Sequence, residues 1–282
     1  FSNAFSTTPI CSASRASYFS GLYERQHRFT FSSPPFSKVY TDVSYPTLLK
    51  SSGYWTGLIG KFGVCTSGID PSLEDPNALY TMFDVFDNYE HWTPEGYEIK
   101  QPHGNVRHLT DITGDKAIGF LGSYYHNQSH QPFYLSVNFN APHAQDGYSR
   151  PYICPKSENY LYMDSDIPEP VNSHPNFFDE LPIFIRKSEN RKRWYERFAK
   201  YEDFQQNIRG LYRMVTGVDR NIGRIVNEIG RLSLTENTII IFASDHGMYY
   251  GERGLSDCWQ MNEESLRIPL IVFDPKAKRI NK

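Results

Sequence analysis

Thr238-Ile-Ile-Ile-Phe-Ala-Ser-Asp-His-Gly247 decides the fold. A β-branched, apolar run from Thr238 to Ser244 stops at an acid, an imidazole and a glycine, which reads as a strand ending in a turn. The stretch before it is helical. Ile208, Leu211, Val215, Val218, Ile222, Ile225, Ile229 and Leu232 step by three and four without a break. Working outward, Ile268–Phe273 and the run 133–139 read as further strands, and Trp55–Ile59 as a short one ending at Gly60-Lys61. Helices are expected over Tyr45–Ser51 and over 108–125, the latter started by Thr110 or Asp111 and faced by Ile112, Ala117, Phe120 and Leu121. Strands alternating with helices predict an α/β fold, a sandwich around a mainly parallel mixed sheet. Ligands of such sheets gather at the carboxyl ends of strands. Three strands here end in chemistry: Lys61, Asn140-Ala-Pro-His143 and Asp245-His246.

The composition narrows the classes. With 39% hydrophobic and 22% charged residues, the 282-residue chain has material for one large core. A net charge of −3 gives no footprint for nucleic acid. No apolar run approaches the ~18 residues of a membrane span. The cysteines at 11, 65, 154 and 258 form no Cys-x-x-Cys pair, so zinc-ribbon and thioredoxin-like readings are poor. No signal peptide precedes Phe1, and Phe1-Ser-Asn-Ala-Phe reads as mid-domain. Residues 66–105, rich in Pro, Asp, Asn, Gly and Tyr, are expected to be long surface loops, and 144–200, punctuated by six prolines from 151 to 182, an irregular insertion or lid. Within it, Arg186 to Arg197 reads as a solvated basic helix face. The histidines at 27, 91, 103, 108, 126, 130 and 174 are read as surface residues.

Pro9-Ile-Cys-Ser-Ala-Ser-Arg-Ala-Ser-Tyr-Phe-Ser-Gly21 carries the candidate nucleophile. A lone cysteine is more often a buried structural thiol. Here a helix from about Ser12 to Gly21, with Thr7, Thr8 and Ser12 offering capping oxygens, would leave Cys11 at its positive end, where orphan N–H groups favour an anion. Arg15 returns to the same face one turn later and could neutralise a developing oxyanion.

Cys11-x-Ala-x-Arg15 resembles the signature of the type I sulfatases, members of the alkaline-phosphatase-like superfamily. Gly53-Tyr-Trp-Thr-Gly-Leu-Ile-Gly-Lys61 resembles their second signature, Asn140-Ala-Pro-His143 their strand-end histidine, and Ser244-Asp-His-Gly247 their metal motif. The resemblance implies a three-layer α/β/α sandwich, and reads residues 1–282 as one partial catalytic domain lacking an upstream Asp-Asp strand and a C-terminal subdomain. It implies that Cys11 is oxidised to formylglycine by a maturation enzyme, and that the hydrated aldehyde attacks the sulfur of a sulfate ester. Lys61 would contact the sulfate, His143 would approach the leaving oxygen, and Asp245 with His246 would face a divalent cation, usually calcium, with His246 also serving as a sulfate contact. Catalytic Cys11, Arg15, Lys61 and His143 would then act on a sulfated small molecule or carbohydrate, in a periplasmic or extracellular setting. A phosphoester or phosphonate-ester hydrolase, or a non-catalytic binder of sulfated glycans, are the alternatives. Two positions depart from the family. Gly63 stands where a histidine is common, and Cys258 where many relatives have a sulfate-binding lysine. A thiol cannot replace a cationic donor.

Overall fold

The computed structural model of the protein describes residues 1–31, 33–68 and 73–277. Residues 69–72 of the expected loop region and the last five residues of the chain lie outside that set. In chain order the first half has α1 (Cys11–Ser20), α2 (Glu24–His27), α3 (Lys38–Thr41), α4 (Tyr45–Ser51), β1 (Trp55–Gly60), β2 (Val85–Asn88), β3 (Glu98–Lys100), β4 (Val106–His108), α5 (Leu109–Asn127) and β5 (Phe133–Asn138). The second half has α6 (Pro175–Asp179), α7 (Ile183–Arg186), α8 (Glu189–Arg197), α9 (Tyr201–Arg231), β6 (Ile240–Ala243), β7 (Tyr249–Tyr250), β8 (Ser256–Asp257), α10 (Glu263–Leu266) and β9 (Leu270–Phe273).

The central sheet is parallel, in the order β2-β1-β5, with Trp55 opposite Phe133 and Gly57 opposite Val85. Alternation along β1 sorts its side chains between two layers. Trp55 and Ile59 pack toward α5, where Trp55 stacks on Phe120 with centroids 4.2 Å apart. Leu58 faces the other way, into a cluster with Ala16 and Phe19 of α1, Phe62 and Phe83. Gly57 lets α5 come this close: a Cβ there would sit 2.4 Å from the Phe120 ring. The long helix α9 covers α5 through a third cluster built on Leu109, Ile208, Leu211 and Met214. Helices on both faces of a parallel sheet are the expected α/β architecture.

Several local expectations change. β2 and the β3–β4 hairpin rise from the stretch expected to be surface loop, and β2 joins the central sheet because Met82 and Phe83 before it are buried. The N-cap of α5 is His108, whose Nδ1 accepts from Thr110 N at 3.2 Å, rather than Thr110 or Asp111. α9 begins two turns before the expected start, since Phe204 and Gln205 are also buried. β5, the expected strand at 133–139, is half-buried. β6 and β9 pair antiparallel with each other, apart from the central sheet, and Ile241, Phe242, Ile271, Val272 and Phe273 keep exposed faces.

Because Phe120 fills the interface between α5 and β1 and is 5% exposed, Phe120→Ala should cost about 3–5 kcal/mol of stability. A urea melt followed by circular dichroism checks it, and a loss under about 1 kcal/mol would show that the α5–β1 contact collapses around the void.

Candidate active site

The carboxyl ends of β1, β5 and β6 come together around the N-terminus of α1. Cys11 is the first residue of that helix. The expected side-chain cap is absent: Ile10 is the N-cap, and Ser12 Oγ donates instead to Thr30 O at 3.0 Å. The first-turn N–H groups are thus not occupied by a capping oxygen. The C-terminus behaves as a glycine stop should, with Gly21 in the left-handed region at φ 71°.

Arg15 ties the strand ends together. Its Nε donates to Asp245 Oδ2 at 2.8 Å and its Nη1 to Lys61 O at 2.7 Å. Ser14 Oγ, one residue earlier, donates to Asp245 O. The Lys61 backbone is pinned from both sides. Its N–H donates to Asn138 O at 2.9 Å, and its carbonyl also accepts from Asn138 Nδ2 at 2.9 Å. This crossing needs Gly60, whose φ is +94° and whose Cβ would lie 2.0 Å from Asn138 O. The Lys61 side chain is buried, with Nζ 3.8 Å from Glu90 Oε2. Gly63 is wedged beside it: a Cβ would lie 3.1 Å from Lys61 Cε and 3.2 Å from Arg15 Cδ.

Opposite Cys11 stands His246. Its Nδ1 donates to Gly247 O at 2.7 Å, leaving Nε2 as the free edge, and both the Cys11 and Cys258 thiols lie within its hydrogen-bonding reach. Trp259 N donates to Pro9 O at 3.0 Å, which brings the Cys258 loop against the Cys11 loop. The electrostatics follow from these neighbours. Burial pushes the Cys11 thiol up, but the His246 imidazole and Lys61 ammonium outweigh it and hold the thiol below its ordinary value. Burial works against the His246 proton, yet Asp245 and the two thiols raise its pKa well above the usual 6.5. Burial likewise opposes ionisation of Asp245, and Arg15, His246 and Lys61 overcome it and hold its carboxyl well below the usual carboxylate range. Cys258 goes the other way, since burial raises its thiol more than His246 lowers it.

His143 lies within electrostatic reach of Lys61. Its Nδ1 donates to Ala144 O at 2.7 Å, and its carbonyl accepts from Tyr97 OH at 2.8 Å. Burial, Lys61 and His91 push its pKa down to about 3. At neutral pH the ring is therefore neutral, with an open Nε2 lone pair. His91, expected at the surface, is fully buried beside it with ring centroids 4.8 Å apart, its Nδ1 3.1 Å from Asn140 Oδ1. Burial and Lys61 lower it to about 4. His27 and His108 are buried too.

The basic run 186–197 is a solvated face only in part: Lys187 and Lys192 are exposed, but two of its arginines turn inward. Arg197, 4% exposed, donates through Nη1 to Asp257 Oδ1 at 2.8 Å and through Nη2 to Asp146. Arg193 Nη1 reaches Asp257 Oδ2 at 2.7 Å and Asp146 Oδ2 at 2.9 Å. Asn190 Nδ2 donates to the carbonyls of Ser256 and Cys258 at 2.7 and 2.6 Å. α8 therefore holds the loop that carries Cys258. Glu90, Trp92, Asn138, Arg193 and Arg197 were missed from the sequence. Their one legible signal is position, since Glu90 and Trp92 follow a strand hidden in an apparent loop.

Among the described residues no group of three or more His, Cys, Asp or Glu side chains could hold a metal ion. Asp245 is the acid at the centre, and both its oxygens are engaged, Oδ2 by Arg15 and Oδ1 by the His246 N–H at 3.1 Å. The described donor set does not by itself fit a divalent cation, which prefers several oxygens.

A helix N-terminus bearing a polarised thiol and an arginine, faced by a buried lysine and a histidine that follow strand ends, marks an α/β protein with a candidate anion-accepting site. The family model Sulfatase matches residues 1–281, and the chain belongs to that family. It is 25% identical to the N-acetylglucosamine-6-O-sulfatase of Bacteroides thetaiotaomicron over 98% of this chain and 56% of that protein. It is 27% identical to the extracellular sulfatase SULF-1 homolog of Drosophila melanogaster, over 98% of this chain and 24% of that one. It therefore spans about half the length, or less, of these curated relatives. Of solved structures, one in complex with its substrate D-glucosamine-2-N,6-O-disulfate superposes with a TM-score of 0.72 at 23% identity, covering 98% of this chain and 63% of that one. The phosphonate monoester hydrolase of Agrobacterium radiobacter superposes at 0.69 and 22% identity over 96% of this chain and 60% of that one. These likenesses bear out the alkaline-phosphatase-like α/β fold. The family generally uses a formylglycine and a divalent metal.

The two depressed histidines predict a pH slope. In the native state His143 and His91 take up protons only near pH 3 and 4, whereas in the unfolded chain they do so near 6.5. Between those values the unfolded state holds more protons, so stability falls as pH drops from about 6.5 toward 4 and returns as it rises. Urea midpoints measured across that window should show the slope. His91→Phe should flatten it, and an unchanged slope in that variant would show that His91 is protonated in the native state.

Proposed function

We propose that the protein hydrolyses sulfate esters of carbohydrates through a formylglycine derived from Cys11. The observation that carries this reading is the bridging of Asp245 and Lys61 by Arg15 directly beneath Cys11. When formed, the formylglycine supplies a hydrated aldehyde whose hydroxyl attacks the sulfate sulfur. The chain's own residues do the rest. The Lys61 ammonium and the protonated His246 offset charge on the sulfate oxygens. Arg15 holds the carboxylate and the Lys61 carbonyl in register, so the lysine approaches from one direction only. His143 is neutral with its Nε2 lone pair open, and an arriving anion opposes the effect of Lys61 on it. We take it as the group that approaches the departing alcohol oxygen.

The family resemblance puts a divalent cation, usually calcium, beside Asp245 and His246, but one carboxylate and an imidazole do not supply the several oxygens that ion prefers. No step is routed through it, because both Asp245 oxygens are already paired. A formylglycine-generating enzyme is the implied maturation partner. The extracellular sulfatase SULF-1 homolog among the relatives supports a periplasmic or extracellular setting. The sugar class is supported by the N-acetylglucosamine-6-O-sulfatase relative and by the neighbour bound to D-glucosamine-2-N,6-O-disulfate. We take residues 1–282 as one partial catalytic domain, with 144–200 as an insertion over the site. A phosphate monoester is less well served. With Gly63 and Cys258 at two basic positions of the family, the anion site has fewer cations to offset the second charge of a phosphate monoester.

Co-expression with a formylglycine-generating enzyme should convert Cys11 to the aldehyde, seen by peptide mass spectrometry. Cys11→Ala should reduce turnover of a sulfated monosaccharide to background. Retention of activity within about tenfold, roughly 1.4 kcal/mol in barrier, would remove Cys11 from the reaction and leave a passive glycan binder or a different nucleophile.

A further inference from the structure

A column of rings runs from the buried interior to the edge of the site. His108 stacks on Tyr97 with centroids 5.1 Å apart and planes 3° apart, and Tyr97 stacks on His91 at 5.0 Å and 15°. His91 lies against Trp92 at 4.1 Å. The first three rings are buried, while Trp92 is 51% exposed. The outermost ring of a rigid stack thus presents an open indole face. It does so where the reacting atoms would be: His143 meets Trp92 edge-on at 4.8 Å, and Lys61 Nζ is 6.0 Å from the ring centroid.

Glu90, two residues earlier, adds the second observation. Its carboxylate, 24% exposed at the side chain, lies 3.8 Å from Lys61 Nζ in the same strand-end loop. A carboxylate at the edge of an anion site cannot serve the sulfate. It accepts hydrogen bonds, and a ligand with several hydroxyl donors near its sulfate would use it. An indole face beside a hydroxyl acceptor matches a pyranose, whose C–H face stacks on an aromatic ring and whose rim carries O–H groups. An aryl sulfate would use the ring and leave the carboxylate desolvated without a donor.

We infer that Trp92 and Glu90 form the subsite for the sugar ring that bears the sulfate, with Trp92 as stacking platform and Glu90 as hydroxyl acceptor. This rests on the sulfate-ester reading of the Lys61–His143 site. The stacked support beneath Trp92 makes the platform pre-ordered, so little side-chain freedom is lost when the sugar arrives.

The test is a set of NMR titrations of the chain with Cys11 unmodified, so that nothing is turned over. The probes are D-glucose 6-sulfate, 4-nitrophenyl sulfate and inorganic sulfate. Wild type should bind D-glucose 6-sulfate more tightly than inorganic sulfate. Trp92→Ala should weaken the sugar ester about tenfold and leave inorganic sulfate within about twofold, while Trp92→Phe, which keeps a ring, should retain most of the affinity. Glu90→Gln should weaken D-glucose 6-sulfate relative to inorganic sulfate and spare 4-nitrophenyl sulfate. Equal binding of D-glucose 6-sulfate by wild type and Trp92→Ala overturns the inference. So does a parallel loss of all three probes, which would make Trp92 a support for Lys61 and His143. Loss of the aryl ester alone, with Glu90→Gln silent, overturns the pyranose assignment. The hydrolase reading fails by a different result, an unmodified Cys11 or absent turnover in the co-expressed protein, which these affinities do not touch.

Discussion

The guanidinium of Arg15 is the joint on which the site depends. One edge holds the Asp245 carboxylate at the end of β6, and the other holds the Lys61 carbonyl at the end of β1. The two strands belong to separate sheets among the described residues, so no backbone ladder sets their relative position. A planar fork with fixed donor directions does. Lysine would lack the fixed fork that holds the two partners in set directions. Because Arg15 lies one turn after Cys11, the same helix that positions Cys11 also sets the spacing of the groups around it. Removing one partner of a largely buried pair costs about 3–5 kcal/mol, so this geometry is enforced by folding free energy as well as by local sterics.

The electrostatics of the centre are arranged by mutual compensation. Asp245 would be expensive to ionise in its setting, and Arg15, His246 and Lys61 make the charged form the stable one. The resulting carboxylate keeps His246 protonated. His246 in turn draws down the Cys11 thiol. The family's lysine is Cys258 here, and the neighbouring cation is the imidazolium held by Asp245. Gly63 fits the same picture: a side chain at that position would press on the Lys61 and Arg15 stems at 3.1 and 3.2 Å and would have to adopt φ +71°. The two departures from the family pattern thus fall where the Lys61 and Arg15 stems are already crowded and beside the His246 ring.

What was legible in the sequence was local. The three-four stepping of α9, the Gly-Lys end of β1 and the Cys-x-Ala-x-Arg spacing each depend on residues within one or two turns, and periodicity reports such order directly. The helix cap failed because Thr7, Thr8 and Ser12 are competent acceptors by type, while Ser12 is drawn to Thr30 by a fold-level contact. β2 was hidden because four residues of strand inside a Pro- and Asp-rich stretch carry too short a pattern to stand out. Trp92, Glu90 and Arg197 share a deeper reason. Their meaning lies in partners from 29 to 60 residues away, and no window contains both members. The antiparallel β6–β9 pair is of the same kind, since strand direction is a property of pairing and not of either strand.

The arginines of α8 extend this argument beyond the centre. Residues 144–200 have few regular elements, and in isolation such a segment has little to hold it. Here α8 reaches the loop of Cys258 through Asp257, which is 2% exposed and held in the left-handed region at φ 64°. A non-glycine residue in that conformation persists only where its surroundings over-determine it. Two guanidinium groups on one carboxylate, with Asn190 on the carbonyls of Ser256 and Cys258, supply that determination. Asp146, two residues after Ala144 and its bond to His143, accepts from the same two arginines. The helix therefore clamps both the Cys258 loop and the His143 loop with one set of charges. A change in residues 144–200 that shifted α8 would move the Cys258 loop and the segment after His143 together.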